Sequence, residues 1–162
     1  MTEHAAPPMP QPTAEHSSLK QYVGKWNVDC NCYMEPGTPP MKMSATESIE
    51  MVGEFWTVSK YEANFMGAPF VGRTTMGFEP HKSRYVMTWV DCMSPVLFHM
   101  TGTRQGDTIT LTGKALSCHT GTELMHRTTW KTLHANEHHF EMFVTLPDGK
   151  EMKMMSSVYR RA

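Results

Sequence analysis

The chain has 162 residues, a formal net charge of −1 and 19% charged residues, with 16 methionines, nine histidines and four cysteines. That length suits one domain able to bury about 70% of its unfolded surface, and the near-zero charge gives no electrostatic case for nucleic acid or an acidic membrane as partner. No apolar run approaches the roughly 18 residues that a membrane-spanning helix needs. The opening MTEHAAPPMPQP has neither the basic start nor the apolar core of a secretory signal, so a cytoplasmic location and free thiols at Cys30, Cys32, Cys92 and Cys118 are the expectation. The cysteine spacing fits no zinc pattern, and the histidines are scattered. The methionine content points to adaptable core filling, or to an adaptable pocket that could favour a soft ion such as Cu(I).

Residues 1–13 carry four prolines and no periodicity, the composition of a disordered tail. The domain proper is then 14–162. Ala14 to Val23 reads as two or three helical turns with Leu19, Tyr22 and Val23 on one face, stopped by Gly24 as a C-cap. The stretch Gly24 to Met34 alternates: Trp26, Val28, Cys30, Cys32 and Met34 share one phase, and Asn27, Asp29 and Asn31 share the other. That period of two predicts a strand with one dry face.

After the loop at 35–40, strands are predicted over Met41–Val52, Phe55–Phe65, Phe70–Phe78, Arg84–Met93, Val96–Thr103, Thr108–Leu116, Thr122–Leu133, His138–Leu146 and Lys150–Arg160. Between them lie Gly53-Glu54, Met66-Gly67-Ala68-Pro69, Glu79-Pro80, the Ser94-Pro95 corner, Gly106-Asp107, Cys118 to Gly121, Ala135-Asn136 and Pro147-Asp148-Gly149, all turn-forming. Gly72 and Gly77 mark bends or bulges inside the fourth strand. Ten short strands with hairpin-length links predict an all-β, up-and-down antiparallel barrel plugged by the N-terminal helix. A two-sheet sandwich is the alternative, but it usually needs longer crossings.

The runs EHSSLKQYVGKW, MEPGTPP, NFMGAPFVGRTTMGFEP, RYVMTWVDCMS and HHFEMFVTLPDGKEMKMMSSVYRR, in that order, resemble a bacterial family, domain-of-unknown-function family 1579, which is grouped with lipocalin-like (calycin) barrels. The resemblance covers about residues 14–161. It implies a ten-strand barrel with an internal cavity and brings no catalytic or ligand residues with it. The Cys30-x-Cys32 pair departs from the family pattern. In lipocalin-like barrels the Trp of a Gly-x-Trp opening, here Gly24-Lys25-Trp26, sits at the closed end under an Arg from the last strand. That resemblance implies a structural role for Gly24, Trp26 and Arg160 or Arg161, through a cation–π contact of about 0.5–2 kcal/mol.

Asp91 shares a strand face with Tyr85, Met87, Trp89 and Met93. It either lines a cavity beside Trp89 or ties backbone amides at the Ser94-Pro95 corner; a buried carboxylate would need a partner or become neutral. Glu47 interrupts the apolar phase of Met43, Ala45, Ile49 and Met51. Glu141 lies opposite the Phe140/Met142/Val144 phase, so the simple reading turns it to water. Two such acids at suitable separation could do glycoside-type acid–base work. His99 and His126 sit in mid-strand, as satisfied polar residues or as haem or metal ligands of the kind found in related nitrobindin-like barrels. No ligand motif of those barrels stands out here, so no cofactor is expected. His138-His139 follows a turn and is expected to be exposed. Cys30 and Cys32 point the same way with Cα atoms about 6.5–7 Å apart, at the limit for a disulfide. Together with Met34 they could face a soft ion, given further thioethers from Met152 or Met154.

The expected function is binding of a small, largely apolar molecule in a barrel cavity, with Met87, Trp89, Asp91, Glu47, His99, His126 and Glu141 as candidate contacts. The alternatives are a carboxylate-based enzyme inside the barrel, a haem or Cu(I) barrel, and an interaction domain with a filled core. The sequence leaves the oligomeric state open, a homodimer included.

Overall fold

The computed structural model describes residues 8–117 and 120–162. Residues 1–7 of the expected tail, and Cys118 and His119 of the loop before the eighth strand, lie outside the described residues. Pro8 to Thr13 has no regular secondary structure. There follow α1 (Ala14–Ser18), a 3₁₀ turn (Leu19–Tyr22), β1 (Gly24–Cys32), β2 (Met41–Val52), β3 (Trp56–Phe65), β4 (Ala68–Glu79), β5 (Arg84–Asp91), β6 (Ser94–Gln105), β7 (Thr108–Leu116), β8 (Glu123–His134), β9 (Glu137–Thr145) and β10 (Glu151–Arg161). Each strand pairs antiparallel with its sequence neighbours, and β10 pairs with β1, so the sheet closes into a ten-strand barrel. Closure leaves no edge strand to template aggregation and removes the sandwich alternative.

The alternation in β1 becomes burial: Trp26, Val28, Cys30 and Cys32 are buried, while Lys25, Asn27 and Asp29 face out. The outer face carries ion pairs such as Lys60–Glu62 and Arg127–Glu151. No helix among the described residues is long and apolar enough to cross a membrane.

β1 stops two residues sooner than its pattern. Tyr33 still donates its N–H to the Met154 carbonyl at 2.9 Å, but the chain then leaves the sheet and Met34 is 66% exposed. Met34 therefore does not continue the sulfur row. β5 is likewise cut back: its hairpin to β6 turns at Cys92-Met93, leaving Met93 exposed and Ser94 paired with Asp91. Pro95 is the second residue of β6 instead of forming the corner, and the β5–β6 register shifts beside it, between Trp89 and Asp91. A residue without an N–H suits such an irregularity.

The plug is tighter than one regular helix. α1 gives way after Ser18 to the 3₁₀ turn, which drives both Leu19 and Tyr22 into the barrel end. Gly24 does not cap it; with φ at +129°, Gly24 opens β1, and a Cβ there would lie 2.6 Å from the Arg161 guanidinium. Only glycine takes that φ readily while letting the cation pass.

The Arg over Trp26 is Arg161, at 4.2 Å from the ring. Arg161 also donates to the carbonyls of Gln21, Val23 and Ala135 at 2.8–3.2 Å, tying the plug to the β8–β9 turn. Arg160, the other candidate, alternates outward and pairs with Asp29 and Glu137. A one-residue step along a strand reverses the face, so only one of two adjacent arginines can cover the indole.

His138 is another correction, being 1% exposed rather than on the surface. It stacks on Tyr159 with ring centroids 4.4 Å apart and meets the edge of Trp26 at the same distance. His139 points out to Glu137 at 3.0 Å.

Candidate functional site

Below the plug layer of Trp26, Tyr22 and His138 the barrel is hollow. The cavity has a volume of about 260 Å³. Its wall toward the β3–β4 and β5–β6 hairpins is aromatic and thioether: Phe65, Phe70, Trp89, Phe98 and Met142 line it. Phe70 stacks on Trp89 with centroids 6.3 Å apart, and Tyr61 presents its edge to Trp89 at 5.9 Å. The wall nearer the plug is polar, formed by Glu47, Tyr61, Thr128, Trp130 and Tyr159.

Trp89 lies where it does because of Gly72. The two are cross-strand neighbours on β4 and β5, and a Cβ on Gly72 would sit 2.0 Å from the indole. Gly77 does the same for Trp56, at 2.2 Å. These glycines are platforms for rings rather than bends: no register shift accompanies either.

Asp91 combines the two roles open to it in the sequence. It lines the cavity, and each carboxylate oxygen already has a donor. One accepts the Trp89 indole N–H at 2.9 Å, and the other accepts the Met93 backbone N–H at 2.9 Å. Asp91 thereby fixes both the hairpin and the ring that shapes the cavity wall.

Glu47 is 3% exposed and accepts a short hydrogen bond from Ser59 on β3. Burial raises its pKa; the hydrogen bond from Ser59 and the nearby Tyr159 phenol oppose this less strongly. Burial likewise raises Tyr61 and Tyr159, with Glu47 adding to both. These shifts favour the neutral forms, so the polar wall is rich in O–H and N–H donors and poor in charge.

Four polar atoms of this wall are buried and have no hydrogen-bond partner within the described protein: Glu47 Oε2, the Tyr61 hydroxyl, Thr128 Oγ1 and Trp130 Nε1. A buried polar group left unpaired costs about 1–3 kcal/mol, so native interiors normally satisfy such atoms or hold them for water or a ligand. Four around one cavity make a site.

The candidate residues separate cleanly by face. Met87, Trp89, Asp91 and Glu47 line the cavity. His99 alternates outward between Phe98 and Met100 and is exposed. His126 points inward on β8, but its ring is taken up by Phe98 at 5.0 Å and the Leu124 carbonyl at 3.1 Å, and it does not line the cavity. Burial lowers its pKa. Glu141 stands on the outer face of β9 in an ion pair with Lys153. No three His, Cys, Asp or Glu side chains among the described residues converge as a metal site.

Tyr61, Thr128, Trp130 and Tyr159 escaped the sequence reading. On β3 the inward phase is Thr57, Ser59 and Tyr61, so polarity there signals the inside rather than the outside. A run of small hydroxyls in phase with a tyrosine was the available clue.

A family model described as "Protein of unknown function (DUF1579)" matches residues 11–161. Among solved structures, the crystal structure of Rv2717c from M. tuberculosis is similar at a TM-score of 0.69 and 12% identity, covering 94% of this chain and 99% of that one. That likeness concerns the fold alone. A redesigned β-barrel, b11L5F_LGL, aligns at a TM-score of 0.46 and 10% identity over 88% of this chain and 93% of its own. No curated protein matches the sequence.

Proposed function

The chain belongs to the DUF1579 family, and from the geometry of its own cavity we propose that it binds a small molecule with an apolar body and one hydrogen-bond-accepting end. The observation that carries this reading is the set of four unpaired polar atoms on one wall of an otherwise apolar cavity. Trp130 Nε1 can only donate, and hydroxyls and a neutral carboxyl can donate too. A carbonyl or hydroxyl oxygen fits this wall better than an ammonium group, which has nothing to accept with. At about 30 Å³ per water-sized group, 260 Å³ accommodates about nine heavy atoms.

The test is a matched series, octane, 2-octanone, octan-1-ol and octanoic acid, titrated against tryptophan fluorescence. The ketone and alcohol should bind at least about five-fold tighter than octane, the worth of one net hydrogen bond. Tyr61→Phe and Thr128→Val should each weaken 2-octanone binding by a similar factor. The same substitutions should raise the stability of the free protein by about 1 kcal/mol, because each removes an unpaired buried hydroxyl. Equal binding of octane and octanone, or no binding of any member, would sink the proposal.

A further inference from the structure

β1 carries an element that ligand binding does not use. Cys30 and Cys32 both face inward and are 2% and 8% exposed. Their Sγ atoms lie 3.6 Å apart, within hydrogen-bonding distance of each other. Two sulfurs on a tetrahedral metal with bonds of about 2.3 Å stand about 3.8 Å apart, so the pair already has nearly the spacing of two ligands on one ion. The remaining donors come from the adjoining strands. In register, Cys30 faces Met43 on β2, and Cys32 faces Met155 on β10. Directly paired residues have Cβ atoms about 4.5–5.5 Å apart. Cys32, Met43 and Met155 all line the cavity, which supplies a route to the thiols.

From this arrangement we infer that Cys30 and Cys32, with the Met43 and Met155 thioethers, form a binding site for a soft monovalent cation of the Cu(I) class. Thiolate and thioether donors select such ions. The third cysteine, histidine or carboxylate that a zinc site would use is missing among the described residues. Binding forms two metal–thiolate and two metal–thioether bonds, and the thiol protons still present are released to solvent. Affinity should therefore rise with pH. The inference does not depend on the organic ligand, whose unpaired contacts are on Glu47, Tyr61, Thr128 and Trp130.

The experiment uses the full chain carrying Cys92→Ser and Cys118→Ser, so that the other two thiols do not compete. Cu(I) is titrated anaerobically under ascorbate against bicinchoninate. One equivalent should be taken from the competitor, with a near-ultraviolet thiolate-to-metal absorption. Adding Cys30→Ala and Cys32→Ala should abolish both. Met43→Leu or Met155→Leu should weaken binding about ten-fold or more, the scale on which supporting metal contacts act. X-ray absorption at the copper edge of the loaded protein gives a reading that no variant's folding can obscure, and sulfur neighbours alone are expected. No uptake against bicinchoninate, undiminished uptake without the two thiols, or a nitrogen and oxygen shell around copper would overturn the inference. 2-Octanone binding by the Cys92→Ser, Cys118→Ser protein, measured beside the copper titration, separates this failure from failure of the ligand reading.

Discussion

Asp91 shows what a single side chain can organise. Its two oxygens serve two donors, one two residues before it and one two residues after, the Trp89 indole and the Met93 amide. Asp91→Asn keeps the shape but offers one good acceptor where two donors converge, and its NH₂ faces a donor. Because the site is partly solvated, the expected cost is about 1 kcal/mol of stability, with a weakened near-ultraviolet circular dichroism band as Trp89 loses its anchor. An unchanged melt and an unchanged aromatic band would show that the hairpin holds the ring without the carboxylate. His16 is a second case, buried at 2% exposure. Its Nδ1 accepts the Thr13 backbone N–H at 2.9 Å, and its Nε2 lies 3.0 Å from the Phe78 carbonyl. One ring nitrogen must accept and the other must donate, which fixes the tautomer and joins the plug to β4.

At the scale of elements, the pairing of β4 with β5 positions the cavity wall. Gly72 exists there as space for the Trp89 ring, so Gly72→Ala forces a methyl into a position 2.0 Å from a rigid indole. Overpacking of this kind costs about 1–3 kcal/mol. Trp89→Leu in the same chain relieves the clash, so the two losses should fall short of adding, by at least about 0.5 kcal/mol in a double-mutant cycle. Strict additivity in urea denaturation would mean that the indole moves aside freely. β10 contributes differently. Its bulge between Lys153 and Met155 lets the consecutive residues Met154 and Met155 both line the cavity, which a regular strand would forbid.

For the molecule as a whole, the plug sets the response to acid. His138 is sealed between Trp26 and Tyr159, and burial, helped by the charges of Arg161 and His139, lowers its pKa to about 3. In the unfolded chain the value is about 6.5. Below pH 6.5 the unfolded state therefore binds a proton that the folded state refuses, so stability falls as pH drops from about 6.5 toward 3 and levels off below. The loss is on the order of a few kcal/mol at one pKa unit per 1.36 kcal/mol. Buried Glu47, whose pKa is raised, works in the opposite sense above its ordinary carboxylate value and partly offsets this slope. Melting temperatures of the wild type and His138→Phe across pH 4–7 provide the check. The variant should lose most of the acid slope, and an identical slope in both would place the titration elsewhere.

What the sequence determined by itself was the periodic part. Alternation in β1, turn chemistry at each hairpin and the near-absence of helical pattern after Val23 are local properties, and they carry the strand count, the all-β class and barrel closure. The inward phase of Met87, Trp89, Asp91 and Glu47 was legible for the same reason, since a strand's two faces are set by parity alone. The tertiary structure decided whatever depends on who stands opposite. Parity could not say which of Arg160 and Arg161 covers Trp26 until the β1–β10 register was fixed. Nor could it show that His138 sits under the plug, that His126 is absorbed by Phe98, or that Met34 lies beyond the end of β1. The polar wall was hidden most deeply. Glu47 comes from β2, Tyr61 from β3, and Thr128 and Trp130 from β8 across the barrel, and only closure of the sheet brings their unpaired atoms to one cavity.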